Sequence, residues 1–142
     1  MKPSYKFLEH TADALFVAES ENLSQLFEQC GLAVEEVMIN LDEVEHKEEL
    51  TITGDDKNIE HLLFDFLDDL VFYKDSEQLI FNKFECKVEK KEDKYFLTCV
   101  AHGEKIDPNK HEQKVDIKAV TMHMFKVEET DDGWKAKVLV DI

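Results

Sequence analysis

Two stretches of the chain repeat apolar residues at the spacing that places them on one face of a helix. Between Asn22 and Met38 they are Leu23, Leu26, Phe27, Cys30, Ala33, Val34, Val37 and Met38, which predicts an amphipathic helix. Asn22, with Gln25 three residues on, resembles a capping box. Gly31 weakens the helix locally and predicts close packing against a sheet. A second helix is predicted from about Asn58 to Phe72, with Ile59, Leu62, Leu63, Phe66, Leu67, Leu70 and Val71 on one face. Its other face carries Glu60, Asp65, Asp68 and Asp69, a pattern that reads as solvated surface.

The remaining apolar positions follow the period of two that strands require. Ala14 to Ala18 is a short apolar run, and Glu49 to Thr53 alternates weakly. Phe84, Cys86 and Val88 alternate with charged residues, and a charged turn at Glu92-Asp93 leads into Tyr95, Leu97, Cys99 and Ala101. Val115 to Val127 is the longest strand candidate, with Val115, Ile117, Ala119, Thr121, His123, Phe125 and Val127 on one side. On that side His123 reads as a hydrogen-bonded core histidine. Asp131-Asp132-Gly133 is a hairpin turn signal. It precedes a last strand with Trp134, Ala136, Val138 and Val140 on one face and Lys135, Lys137, Leu139 and Asp141 on the other. Strands, two interspersed helices and a final run of strands predict a single two-layer α+β domain over residues 1–142.

Composition then excludes several classes. At 142 residues with 43% hydrophobic and 35% charged side chains, the chain is long enough to bury about 68% of its unfolded surface. No apolar run approaches a membrane span, and the opening Met1-Lys2-Pro3-Ser4 is not a signal peptide. The expectation is a soluble, cytoplasmic protein. Seventeen basic against 33 acidic side chains give −16, and all seventeen are lysine, with no arginine. Phosphodiester binding is mostly electrostatic, so direct nucleic-acid binding is not expected. An electropositive protein partner or a metal cation suits this charge, although Lys- and Glu-rich surfaces also occur in thermophile proteins without any partner. Cys30, Cys86 and Cys99 show no C-x-x-C spacing and read as three buried, reduced thiols.

Candidate chemistry falls in three places. Glu9-His10-Thr11-Ala12-Asp13 places ligand types just before a strand; Asp13 capping a turn and His10 bonding to backbone is the plainer reading. At the other end Asp141 stands beside Ile142, whose terminal carboxylate would add a second carboxyl group. With Asp13 close by, these would form an oxygen-only cluster suited to Ca²⁺ or Mg²⁺, but periodicity does not place Asp13 beside Asp141. Between Gly103 and His111, Gly103 and Pro108 mark a loop that could present Glu104, Asp107 and His111 to a partner, or be plain solvated surface. No catalytic triad, phosphate loop, dinucleotide fingerprint or zinc spacing occurs.

Taken together, these segments resemble the archease family. The resemblance is carried by Phe7-Leu8-Glu9-His10-Thr11-Ala12-Asp13, by Gly103-Glu104-Lys105 with Lys110-His111, by Lys118-Ala119-Val120-Thr121 through His123, and by the closing Asp141-Ile142. Two departures are Ala14-Leu15 where the family usually has Ile-Gly, and Met122 where it often has Tyr. The resemblance implies a two-layer fold of strand-helix-strand-strand type. It also implies a divalent cation, Ca²⁺ first and Mg²⁺ or Mn²⁺ as alternatives, held by Asp13, Asp141 and Ile142. His10, Glu104, Lys105, His111, Lys118 and His123 are the further residues that could face a partner or shape its loop.

The implied role is that of a non-enzymatic accessory to the tRNA-splicing RNA ligase. That ligase uses GTP and Mn²⁺ and passes through a guanylylated histidine. The accessory promotes guanylylation and multiple turnover. A second role attributed to the family is chaperone-like modulation of a tRNA cytosine-5 methyltransferase. A metal-dependent hydrolase is the enzymatic alternative, but no general base or nucleophile accompanies the carboxylates.

Overall fold

Both predicted helices form, and an asparagine caps each. The computed structural model describes residues 1–8 and 13–142. Helix α1 spans Leu23–Met38, and the Asn22 side chain accepts from the Gln25 N–H at 2.9 Å. The reciprocal half of the capping box is missing, since Gln25 Oε1 is buried without a partner. Helix α2 spans Ile59–Glu77, with the Asn58 side chain accepting from the Glu60 and His61 N–H groups. It runs one turn beyond the sequence expectation and stops at Gln78, which adopts the left-handed conformation at φ 55, a common helix terminator.

Among the described residues seven strands complete an α+β fold: β1 Ser4–Leu8, β2 Asp13–Ser20, β3 Glu48–Asp56, β4 Leu79–Lys91, β5 Lys94–Lys105, β6 Ala119–Thr130 and β7 Gly133–Asp141. They form two antiparallel sheets, ordered β1-β2-β7-β6 and β3-β5-β4. Strand β1 was not expected, because five residues, mostly exposed, are too few for an alternation to stand out. No residue of α1 is exposed: it packs on β2 of one sheet and β4 of the other. The close approach expected at Gly31 is present, for a Cβ there would lie 2.9 Å from the Phe84 ring. The buried core includes Phe16, Phe27, Phe66 and Phe81. No described helix is long and apolar enough to cross a membrane.

Both helices also close sheet edges, which otherwise offer unpaired N–H groups to other chains. Along the edge strand β4, α1 side chains accept three outward N–H groups: Phe81 to Glu35 Oε1 at 3.1 Å, Cys86 to Glu28 Oε2 at 2.8 Å, and Val88 to Ser24 Oγ at 2.9 Å. On the edge strand β6, α2 supplies Glu60 Oε2 to the Val127 N–H at 2.8 Å.

Four expectations need correction. Gly103 lies inside β5, not in a loop; a Cβ there would come within 1.8 Å of Ile80 O, beside the register shift between Phe81 and Lys83. Its missing side chain admits a neighbouring backbone. The strand predicted from Val115 begins at Ala119. Strand β6 then advances five residues from Thr121 to Lys126 while β7 advances two, from Leu139 to Lys137. An odd number of extra residues exchanges the two faces. Val120 is therefore buried, as are Phe125 and Val127, while His123 is exposed and is not a core histidine. Lastly, Cys30 and Cys99 are buried and free, but Cys86 is only half-buried.

Candidate functional site

The end of the four-stranded sheet brings together the two aspartates from opposite ends of the chain. Asp13 opens β2, Asp141 closes β7, and the register sets them directly opposite one another. Directly opposed side chains stand on the same face, with Cβ atoms about 4.5–5.5 Å apart. That face continues into the opposed pair Leu15 and Leu139, both buried. On its other side Asp141 pairs with Ala119, and the Lys118 N–H donates to Asp141 O at 2.7 Å. The last residues of β7 are thus fixed from both flanks. Ile142 packs against the core, and the Lys118 side chain is exposed. His10 lies outside the described residues.

Two carboxylates side by side are hard oxygen donors, the chemistry that suits Ca²⁺ or Mg²⁺. They supply at most four oxygens, whereas Ca²⁺ takes about six to eight, so further ligands must come from elsewhere. Among the described residues no group of three or more His, Cys, Asp and Glu side chains is placed so that it could hold a metal ion. Asp13 and Asp141 are a pair, with Ile142 next to Asp141 in sequence.

The segment after β5 is built differently. Glu104 and His111, both candidates to face a partner, are 5% and 4% exposed and bond to each other, His111 Nε2 to Glu104 Oε2 at 3.0 Å. The Asp107 N–H donates to His111 Nδ1 at 2.9 Å. That nitrogen must then be the acceptor, and Nε2 carries the proton toward Glu104. Glu104 also accepts from Lys110 Nζ at 2.8 Å and from the Glu45 N–H at 2.6 Å. Burial opposes its ionisation, yet the donors Lys110, Glu45 N–H and His111 together outweigh burial and hold its carboxyl down at about 2. The same carboxylate raises the affinity of Lys110 for its proton. This cluster ties residues 105–111 to the segment following α1. Lys105 is exposed at the end of β5, and Asp107 is exposed too.

Glu45 was not anticipated, because it meets Glu104 across 59 positions and stands in no periodic pattern. Glu35 was also missed. It is fully buried, accepts from the Phe81 N–H through Oε1, and leaves Oε2 without a partner. Its position four residues after Gly31 and three before Met38 was the available signal, since that places it beside the apolar face of α1. His123 occupies the β6 bulge with Met122 and Met124; Met124 has φ 60 and both methionines are exposed.

The archease protein family (MTH1598/TM1083) matches residues 5–142. The chain is 40% identical over 139 residues to the protein archease of Pyrococcus furiosus, covering 97% of this chain and 98% of that one. It is also 40% identical over 140 residues to the protein archease of Methanothermobacter thermautotrophicus, with coverage of 97% and 98%. The solution structure of Methanobacterium thermoautotrophicum protein 1598 superposes with a TM-score of 0.87 at 38% identity, covering 97% of this chain and 98% of that one. The crystal structure of a Thermotoga maritima archease, described as a possible chaperone, shares the fold at a TM-score of 0.56 and 22% identity, with 96% of each chain covered. With the same two helices and two antiparallel sheets, and a match over nearly its whole length, this chain belongs to the archease family.

Proposed function

We propose that the protein is a non-enzymatic activator of the GTP-dependent tRNA-splicing RNA ligase, promoting the ligase's guanylylation and multiple turnover. The observation that carries this reading is the pairing of Asp13 with Asp141 at the end of a sheet, in a chain of the archease family. Asp13, Asp141 and Ile142 would hold a divalent cation, Ca²⁺ in the first place and Mg²⁺ or Mn²⁺ otherwise. When bound, the cation would neutralise two carboxylates that repel each other across neighbouring strands. The remaining coordination is open to water or to groups of a partner.

Net charge supports the same reading. A protein of −16 is drawn toward the basic groove of an RNA-joining enzyme and not toward RNA itself, with an attraction that weakens as salt rises. Asp13→Ala combined with Asp141→Ala should abolish stimulation of the cognate ligase while the melting temperature without added metal stays close to wild type. Added Ca²⁺ should raise the melting temperature of the wild type and leave that of the double variant unchanged. Full stimulation by the double variant would refute the reading.

A second reading is a chaperone-like modulator of a tRNA cytosine-5 methyltransferase. The description of the Thermotoga maritima archease as a possible chaperone agrees with the chaperone character of this reading alone, and suppressed aggregation with altered site choice by the methyltransferase would identify it.

A further inference from the structure

Beyond the carboxylate end of the molecule, the β4–β5 hairpin carries a feature that the ligase-activating role does not use. Cys86 and Cys99 stand directly opposite each other across the two strands, with their sulfurs 2.7 Å apart. Both are free thiols. In an antiparallel ladder the N–H and C=O of one residue point the same way. The Cys86 N–H points outward, because it donates to Glu28 Oε2 on α1 at 2.8 Å. Cys86 and Cys99 therefore form a non-hydrogen-bonded pair, in which Cα atoms approach to about 4.5 Å. That separation lies at the short end of the range a disulfide spans.

We infer that Cys86 and Cys99 form an oxidisable dithiol, closed to an intrachain disulfide by a hydroperoxide. The two differ in access: Cys86 is half-buried on the edge strand, whereas Cys99 is fully buried. Cys86 is therefore the thiol attacked first. Its thiolate sulfur displaces water from hydrogen peroxide, as hydroxide, and becomes a sulfenic acid. The Cys99 sulfur then attacks that sulfur, forms the S–S bond and releases a second water. In total two thiols and one peroxide give one disulfide and two waters.

A small neutral oxidant fits this position. Glutathione disulfide is large and anionic, and a chain of −16 repels it. The hydrogen bond with Cys99 and burial both push the Cys86 thiol well above its usual range, so little thiolate is present near neutral pH and the reaction is slow there, speeding up as pH rises.

The test treats the reduced full-length chain with hydrogen peroxide under mildly alkaline conditions, then unfolds it in an alkylating agent. The expected product has lost the mass of two hydrogens and retains one alkylatable cysteine, Cys30. Its Cys86 and Cys99 peptides are joined, and dithiothreitol reverses the change. The oxidised chain should melt higher than the reduced one, since the bridge ties two strands together. Cys99→Ser should stop at a Cys86 sulfenic acid that a dimedone probe traps; Cys99→Ala repeats this arm should the serine disturb the core. Glutathione disulfide at equal concentration should react at least tenfold more slowly. Three alkylatable thiols after peroxide, a bridge involving Cys30, two chains joined through Cys86, or direct passage of wild-type Cys86 to sulfinic acid would each overturn the proposal.

Discussion

Glu35 and Glu104 are both buried carboxyls, 0% and 5% exposed, yet their acidities lie far apart. Burial pushes Glu35 up to about 8, against a single N–H donor from Phe81 and the more distant charge of Lys74. Glu104 is held at about 2 because Lys110, the Glu45 N–H and His111 converge on it and overcome burial. The difference teaches that the number of donors, not depth, sets the charge of a buried acid. Near neutral pH Glu35 is mostly a neutral hydrogen-bonding group closing the edge of β4. Glu104 is an anion around which residues 45 and 105–111 are organised.

The most severe way to break the comparison is Glu104→Ala. It leaves the buried His111 Nε2–H and the Glu45 N–H without their acceptor, while Lys110 keeps the Glu45 carboxylate, and should destabilise the protein by about 3 kcal/mol, read from denaturant unfolding. His111→Ala should cost about 2 kcal/mol, since it removes one donor to Glu104 and opens a buried space.

Acid and base should act on the two carboxyls in opposite directions. Glu104 has a folded-state value below its ordinary 4.5, so the stability it contributes is complete above about 4.5 and lost as pH falls toward 2. Glu35 has a folded-state value above 4.5. The folded chain then binds more protons than the unfolded one, and stability falls as pH climbs from about 4.5 through 8. Glu35→Gln keeps an acceptor for Phe81 N–H and should flatten that alkaline fall, gaining about 1 kcal/mol at its upper end. A melting-temperature profile of the wild type beside this variant checks the sign. Lys110→Met should have the smallest effect of the four on stability, because Lys110 is partly exposed and Glu104 keeps its other donors; its use is to raise the acid midpoint attributed to Glu104.

How much of this was legible in the sequence depended on the range of each interaction. Both helices were readable because their apolar spacing is local, and for α1 the Asn22 cap announces the start. The β4–β5 hairpin was readable from alternation and from its charged turn, where Glu92 and Asp93 take φ 51 and 65. The β6 bulge was not, because Met124 adopts positive φ without a glycine to mark it, and the shift exchanged the faces and exposed His123. Glu35 finds its donor 46 positions away and Glu45 finds Glu104 across 59; no periodicity encodes such pairs. Asp13 and Asp141 were visible as residues, but only the strand order β2-β7 makes them neighbours.

The role proposed for this protein is to drive the RNA ligase through repeated cycles. Its most direct test counts RNA-joining turnovers per molecule of purified cognate ligase, with and without this chain, using an N-terminal tag so that the Asp141-Ile142 end is unaltered. Conversion from about one turnover to many is expected, with the stimulation declining as salt screens the −16 charge. An unchanged turnover number, with the ligase shown to be competent for guanylylation, would contradict it.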